Sequence, residues 1–380
     1  MNIHQLRVLL RKEWFLGFSV LTSILFLSCG RWLLSGFENP LWLAAVFFWL
    51  FVTILGAALA VVQHADCLAE RLGEPYGTLI LTLSITSIEV MSITAVMLHG
   101  DNNPTLARDT LFAVSMIILN GMVGLSLLMG GWRHREQHYN LQGANAYLGV
   151  IIPLAVLCLV MPNFTVSTAG PTMSYSQEMF LAIISVGLYV AFLVLQTHRH
   201  RGYFSGEEAV TLPASGLKKK QVHVEGGRRG KNVLRHTLLL IAYMLPIIFL
   251  AEQIGTPVDY VVETMRAPAA LAGLILAILV AAPEAIGAVR AAASNHLQRS
   301  VNIFLGSVLS TIGLTIPAIL VVSHLTHHPI VLGLQHTDLL MFVLTLTLCM
   351  VTFSSGRTNV LQGGVHLILF VAYLFFMFQG

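Results

Sequence analysis

Two glutamates stand inside long apolar runs. One closes the segment Thr82-Leu83-Ser84-Ile85-Thr86-Ser87-Ile88-Glu89, and the other sits in Ala281-Ala282-Pro283-Glu284-Ala285-Ile286-Gly287. An ionised carboxylate at the centre of a membrane helix costs about 2.5–3.5 kcal/mol on insertion scales. An acid kept at such a depth normally faces a cavity and holds a proton or a cation. The plainer alternative is a protonated glutamate hydrogen-bonded to a neighbouring helix. Two such acids at matching places in the chain favour ion chemistry over that alternative.

Burial and a second nearby carboxylate both favour the protonated form of an acid, and a cation between the two reverses this. Proton and cation then compete for the same oxygens, and that competition couples their movement. Two carboxylates neutralise Ca²⁺, which takes six to eight oxygens in all. Candidate secondary ligands are Ser84, Thr86 and Ser87 beside Glu89, Asn120 further along, and Ser307, Ser310 and Thr311. Pro283 has no N–H and leaves the carbonyl of Leu279, four residues back, as another candidate oxygen. Hydroxyls in membrane helices more often serve packing. Glu74 is placed as a proton relay or as a plain helix-terminal acid.

The elements that must position these groups are membrane helices. Of the 380 residues, 56% are hydrophobic and 10% charged, with a mean hydropathy of +0.78. A soluble domain carries about 25% charged residues, so a soluble chain of this length is excluded. Apolar stretches of about 20 residues recur from end to end, without the ten-residue alternation of a membrane β-barrel. Eleven spans are predicted, at 15–30, 41–63, 77–99, 110–130, 145–162, 177–198, 237–256, 267–290, 301–324, 338–354 and 361–379. The first is read as a spanning helix and not a signal peptide, because its apolar run is long and no small-x-small cleavage site stands out. Cys29, Cys67, Cys158 and Cys349 are far apart, so no disulfide framework or metal cage is readable.

The fold class expected is an all-α polytopic membrane protein of one helix plus two inverted five-helix repeats. Residues 1–40 hold the N-terminal segment and first helix, 41–198 the first repeat, 199–236 a basic cytoplasmic linker, and 237–380 the second repeat. With the N-terminus in the cytoplasm, 18 of the 21 Lys and Arg residues fall on the cytoplasmic side. The C-terminus is then periplasmic. Five spans per half is an odd number, so the second half enters the membrane upside down, as in many secondary transporters. The second span of each half carries its glutamate. A fainter echo pairs Asn140-Leu141-Gln142-Gly143 with Asn359-Val360-Leu361-Gln362-Gly363.

Other groups read as weaker. Glu252 lies near the end of span seven. His64, His99, His296, His324, His327, His328 and His336 cluster in loops or at span ends and read as surface histidines. No phosphate-cradling loop, HExxH or GxSxG motif appears, so the motifs give no case for an enzyme. A membrane enzyme using the two acids as a pair and an ion channel on a similar bundle are the competing classes.

The sequence resembles the calcium/cation antiporter superfamily and, within it, the cation/proton exchangers, above all bacterial calcium and sodium–potassium/proton antiporters. The resemblance rests on His64-Ala65-Asp66, Leu72-Gly73-Glu74-Pro75-Tyr76-Gly77, Pro104-Thr105-Leu106, Arg108-Asp109-Thr110-Leu111, Pro283-Glu284, Gly306-Ser307-Val308-Leu309 and Gly356-Arg357-Thr358-Asn359-Val360-Leu361. It runs from about residue 50 to the C-terminus, apart from the linker. It implies an inner-membrane antiporter expelling Ca²⁺ or Na⁺/K⁺ in exchange for protons. The two family signatures fall on Gly77 to Glu89 and Glu284 to Pro317, with Glu89 and Glu284 as their acids and Asn295, Gly306, Ser307 and Pro317 at the family spacing. The family has asparagines where this chain has Leu81 and Thr86, a histidine where it has Ala285, and often a glutamine where it has Ser310. Fewer amide oxygens and more hydroxyls make monovalent cations plausible cargo, so a Na⁺(K⁺)/H⁺ antiporter with little calcium activity is the nearest alternative. No cofactor is implied beyond the transported Ca²⁺, Na⁺, K⁺ and H⁺. The expected partners are the lipid bilayer and small inorganic cations, not nucleic acid, and no signal for an oligomeric state is present.

Overall fold

The structure, a computed structural model, describes residues 13–73, 76–98, 103–168, 170–204 and 226–379. Its helices in chain order are α1 (Trp14–Leu33), α2 (Pro40–Leu72), α3 (Tyr76–Met97), α4 (Leu106–His134), α5 (Leu141–Phe164), α6 (Tyr175–Arg199), α7 (Gly226–Glu263), α8 (Ala270–Ala293), α9 (Leu297–Thr326), α10 (His336–Thr352) and α11 (Val360–Gln379). They answer one for one to the eleven predicted spans, and the chain is an all-α polytopic membrane protein. Large apolar side chains such as Leu27, Leu41, Phe48, Ile183 and Leu361 are more than half exposed, as lipid-facing positions require.

Local chemistry sets the helix ends. Asn39 caps α2, its side chain accepting from the Leu41 N–H at 3.0 Å, with Pro40 in the first turn. Gly73 stops the same helix at φ +69°, a conformation that disfavours any residue with a Cβ. Ser174 and Gln177 form a capping box at the start of α6. The paired motifs seen in the sequence do matching jobs. Asn140 caps α5 by accepting from Gln142 and Gly143, and Asn359 accepts from Gln362 at the start of α11. Just ahead of these helices, β1 (Gln137–His138) and β2 (Arg357–Thr358) pair antiparallel, Gln137 opposite Thr358.

The chain forms two compact units, and neither is one sequence half. The first takes residues up to Asn102 together with Val224–Pro283, and the second takes Asn103–His223 together with Glu284–Gly380. Each unit draws spans from both halves. In the first, α2 lies along α7 and α3, with α1 against α2 and α7. In the second, α11 packs on α4, α9 on α5, and α6 on the last part of α9. Glycines allow the closest of these approaches. A Cβ on Gly363 would meet the backbone of Gly124 and Leu128 on α4, the small-residue contact by which membrane helices pack.

Helix extends further into the basic segment than expected. α7 begins at Gly226 rather than near 237, and Arg201–Tyr203 forms a short 3₁₀ turn. Residues 205–225, most of the expected linker, lie outside the described residues. A deletion confined to 206–224 therefore removes no described helical residue, and polar Gly-containing segments tolerate shortening when their ends still meet. The cation/proton exchange that the resemblance implies is expected to persist in vesicles after it, within about twofold. Loss of transport in a variant that still reaches the membrane would assign the segment a gating role.

Candidate functional site

Glu89 is position 14 of 22 in α3 and is 1% exposed. Because α8 starts at Ala270, Glu284 is position 15 of 24 in that helix. The sequence placed Glu284 less centrally than Glu89, and the later helix start brings the two to matching depths along their helices. Each is described within its own unit.

Around Glu89 the helical periodicity of about 100° per residue sorts the candidate ligands. Thr86 and Thr82 fall within about 60° of Glu89 on the wheel, whereas Ser84 and Ser87 fall about 140–160° away. Thr86 shares the face of the acid and is buried, and its hydroxyl has no hydrogen-bond partner among the described residues. Ser84 is buried on the other side and donates to the Ile80 carbonyl at 2.7 Å, while Ser87 is half-buried. Leu279 is buried on α8, four residues before Pro283. Glu74 lies outside the described residues.

Around Glu284 the second unit is explicit. Ser307 of α9 donates to the Glu284 carboxylate. Ser310, one turn on, donates to the Ser307 carbonyl at 2.9 Å, which leaves its oxygen lone pairs free to accept. Thr311 follows, and all three hydroxyl residues are buried. α8 is anchored beyond the acid, where Gln137 donates to the Ala292 carbonyl at 2.9 Å and to Asn295 at 3.0 Å. Asn295 holds φ +62° there, a left-handed conformation that asparagine tolerates better than most residues. Gln298 accepts from the Asn140 N–H at 2.6 Å.

Sequence reasoning missed two features. Both third spans contain a π-helical turn, Ile117–Met122 in α4 and Thr311–Thr315 in α9, and such turns recur at functional sites. Asn120 and Thr311 sit in them. The second feature is a buried polar chain behind Asn120. Its amide donates to Thr345 at 2.8 Å, its carbonyl oxygen lies 3.3 Å from His366 Nδ1, and His366 Nε2 lies 2.9 Å from Thr352. Asn120 thus spends much of its bonding capacity on α10 and α11. A lone histidine within an apolar span was the signal, by the same cost argument that singled out the glutamates.

The hydroxyl held by Glu284 gives a direct prediction. A hydrogen bond to a charged group contributes about 1.5–3 kcal/mol, so Ser307→Ala is expected to weaken apparent cation affinity at least ~10-fold, with a smaller change in maximal rate. Initial uptake rates in vesicles at varied cation concentration measure both. An unchanged affinity would reduce Ser307 to a packing residue.

The family profile described as sodium/calcium exchanger protein matches residues 42–198 and 235–379. The chain is 39% identical over 327 residues to the sodium-potassium/proton antiporter ChaA of Escherichia coli (strain K12), covering 86% of this chain and 87% of that protein. It is 23% identical over 334 residues to the Ca(2+)/H(+) antiporter ChaA of Bacillus subtilis (strain 168), covering 87% of this chain and 91% of that protein. Its fold is that of native YfkE, with a TM-score of 0.72 at 20% identity over 96% of this chain and 100% of that one. These relatives are transporters rather than enzymes, in keeping with the absence of enzyme motifs. On the family match and the 39% identity together, the chain belongs to the sodium/calcium exchanger protein family.

Proposed function

We propose that this protein is a secondary antiporter that exchanges cytoplasmic Ca²⁺, and also Na⁺ and K⁺, for protons across the inner membrane by alternating access. The observation that carries the reading is an acid at a corresponding position in each of two helices, Glu89 buried on α3 and Glu284 on α8, to which Ser307 of α9 donates. The two relatives' names point the same way, one to sodium–potassium/proton and one to calcium/proton exchange. Cation and proton compete for Glu89 and Glu284. Thr86, Ser307, Ser310 and Thr311 supply neutral oxygens, and no resident cofactor takes part. The N-terminus lies in the cytoplasm and the C-terminus in the periplasm, which is the arrangement the Lys and Arg distribution favours.

A Na⁺(K⁺)/H⁺ antiporter with little calcium activity is the second reading. Leu81, Thr86, Ala285 and Ser310 favour it, because apolar groups and hydroxyls replace amide and imidazole ligands there. Counterflow in proteoliposomes with an imposed pH gradient, tested with Ca²⁺, Na⁺ and K⁺ in turn, decides between them. Proton-coupled movement of all three supports the first reading, and coupling restricted to Na⁺ and K⁺ supports the second. Cation flux that moves no protons would contradict both and indicate a channel.

A further inference from the structure

The first unit holds a second group of titratable side chains, 25 residues from Glu89 at its nearest. His64 on α2 is one residue past the apolar stretch 41–63, and His236 on α7 is one residue ahead of 237–256. Their Nδ1 atoms are 3.0 Å apart. The other nitrogen of His64, Nε2, is 3.4 Å from the carboxylate of Glu13, just ahead of α1. Tyr243 of α7 donates to the same carboxylate oxygen at 3.3 Å, and the Arg235 guanidinium lies 3.6 Å from the other oxygen. His64 is 8% exposed, so it is not the surface histidine that the sequence suggested. Helix α2 buries its ring against α7, where it makes tilted contacts with His236 and Tyr243 at centroid distances of 5.2 and 5.7 Å. Arg71 of α2 is the remaining charge that acts on His236.

These short approaches constrain how the group can hold protons. The Glu13 carboxylate only accepts. With both rings neutral, the carboxylate 3.4 Å away favours the His64 hydrogen on Nε2, which leaves His64 Nδ1 as the acceptor facing His236. A first added proton is accommodated by a tautomer change. His64 becomes an imidazolium that donates to Glu13 through Nε2 and to His236 through Nδ1, and His236 keeps its hydrogen on Nε2. A second proton leaves an N–H on each facing Nδ1, and two cations cannot remain at 3.0 Å in that orientation.

We propose that Glu13, His64 and His236 form a proton-binding site separate from the two transport glutamates, binding one proton with the His64–His236 contact intact and parting α7 from α2 there on binding a second. Imidazole is the side chain best suited to gain or lose a proton between pH ~5 and 8, and two of them face each other in this site. The inference stands on this geometry alone and does not depend on which cation is carried.

The test uses the full chain with ¹³C,¹⁵N-histidine in lipid nanodiscs, following the imidazole resonances from pH ~5 to ~9. His64→Gln and His236→Gln assign the signals. Wild type is expected to titrate in two coupled steps at least ~10-fold apart in proton concentration. His236→Gln should collapse them to one step. Glu13→Gln, which leaves both rings in place, should weaken the first step by about 10-fold and keep the second. Amide exchange of residues 13–20, corrected for pH, should accelerate across the second step in wild type and not in His236→Gln. Two histidines that titrate independently of one another would overturn the proposal, as would rings that hold no proton in this range or exchange that ignores the second step.

Discussion

Glu89→Gln and Glu284→Gln are each expected to reduce cation/proton exchange at least ~100-fold, a loss of about 2.7 kcal/mol in rate terms. Glutamine keeps the shape of the side chain and removes its titratable charge. A cation in hydrocarbon must have its charge met, and leaving one unpaired costs several kcal/mol. The substitution also removes the oxygen that carries the proton, so both directions of exchange fail together. Misfolding is a poor explanation for such a loss, because a neutral amide is cheaper to bury than a carboxylate and the amide oxygen at position 284 could still accept from the Ser307 hydroxyl. Proteoliposomes with equal amounts of inserted wild-type and variant protein give the comparison. Near wild-type, pH-driven flux in either variant would remove that residue from the mechanism.

The spans were legible in the sequence because the bilayer imposes a length on each apolar run. Their ends were less so. α2 runs on to Leu72 and α7 starts at Gly226, since a helix that leaves the hydrocarbon can continue in water under propensity and packing alone. The matching motifs Asn140–Gly143 and Asn359–Gly363 were legible as a repeat and proved to be helix starts flanking the paired strands. The two glutamates were legible because a buried charge is costly wherever it sits. The helical face of each hydroxyl was open to the same reading, yet Ser84 and Ser87 were grouped with Glu89 by nearness in sequence and only the helix separates them from Thr86. The π turns at Asn120 and Thr311 left no sequence signal, because an extra residue per turn follows from how neighbouring helices pack. The compact units were hidden for a related reason. Each half contributes spans to both, and hydropathy along the chain carries nothing about which helices pack together.

Apparent cation affinity is expected to fall steeply as protons become abundant. With both acids protonated, the oxygens that would meet a cation are neutral and loading is blocked. On the proposed sharing of one cation by Glu89 and Glu284, two ionised carboxylates with no cation to bind draw protons back. A cation therefore loads by displacing protons, and the acids should titrate as a coupled pair rather than with separate residue values. Where one proton must leave for a cation to bind, apparent affinity changes up to about 10-fold per pH unit, and where two must leave, up to about 100-fold. On the same proposal a divalent ion would neutralise both carboxylates, whereas a monovalent ion would leave one for a proton or a second cation. Calcium exchange should accordingly move more protons per ion than sodium exchange.

The most direct measurement is the apparent affinity for Ca²⁺, Na⁺ and K⁺ in proteoliposomes across pH ~6–9. Competition for shared oxygens predicts that affinity for each transported cation rises with pH and levels off once the acids are ionised, with the steeper rise for Ca²⁺. An affinity for every transported cation that does not change across this window would contradict shared binding of cation and proton at Glu89 and Glu284, even if the protein still moved cations.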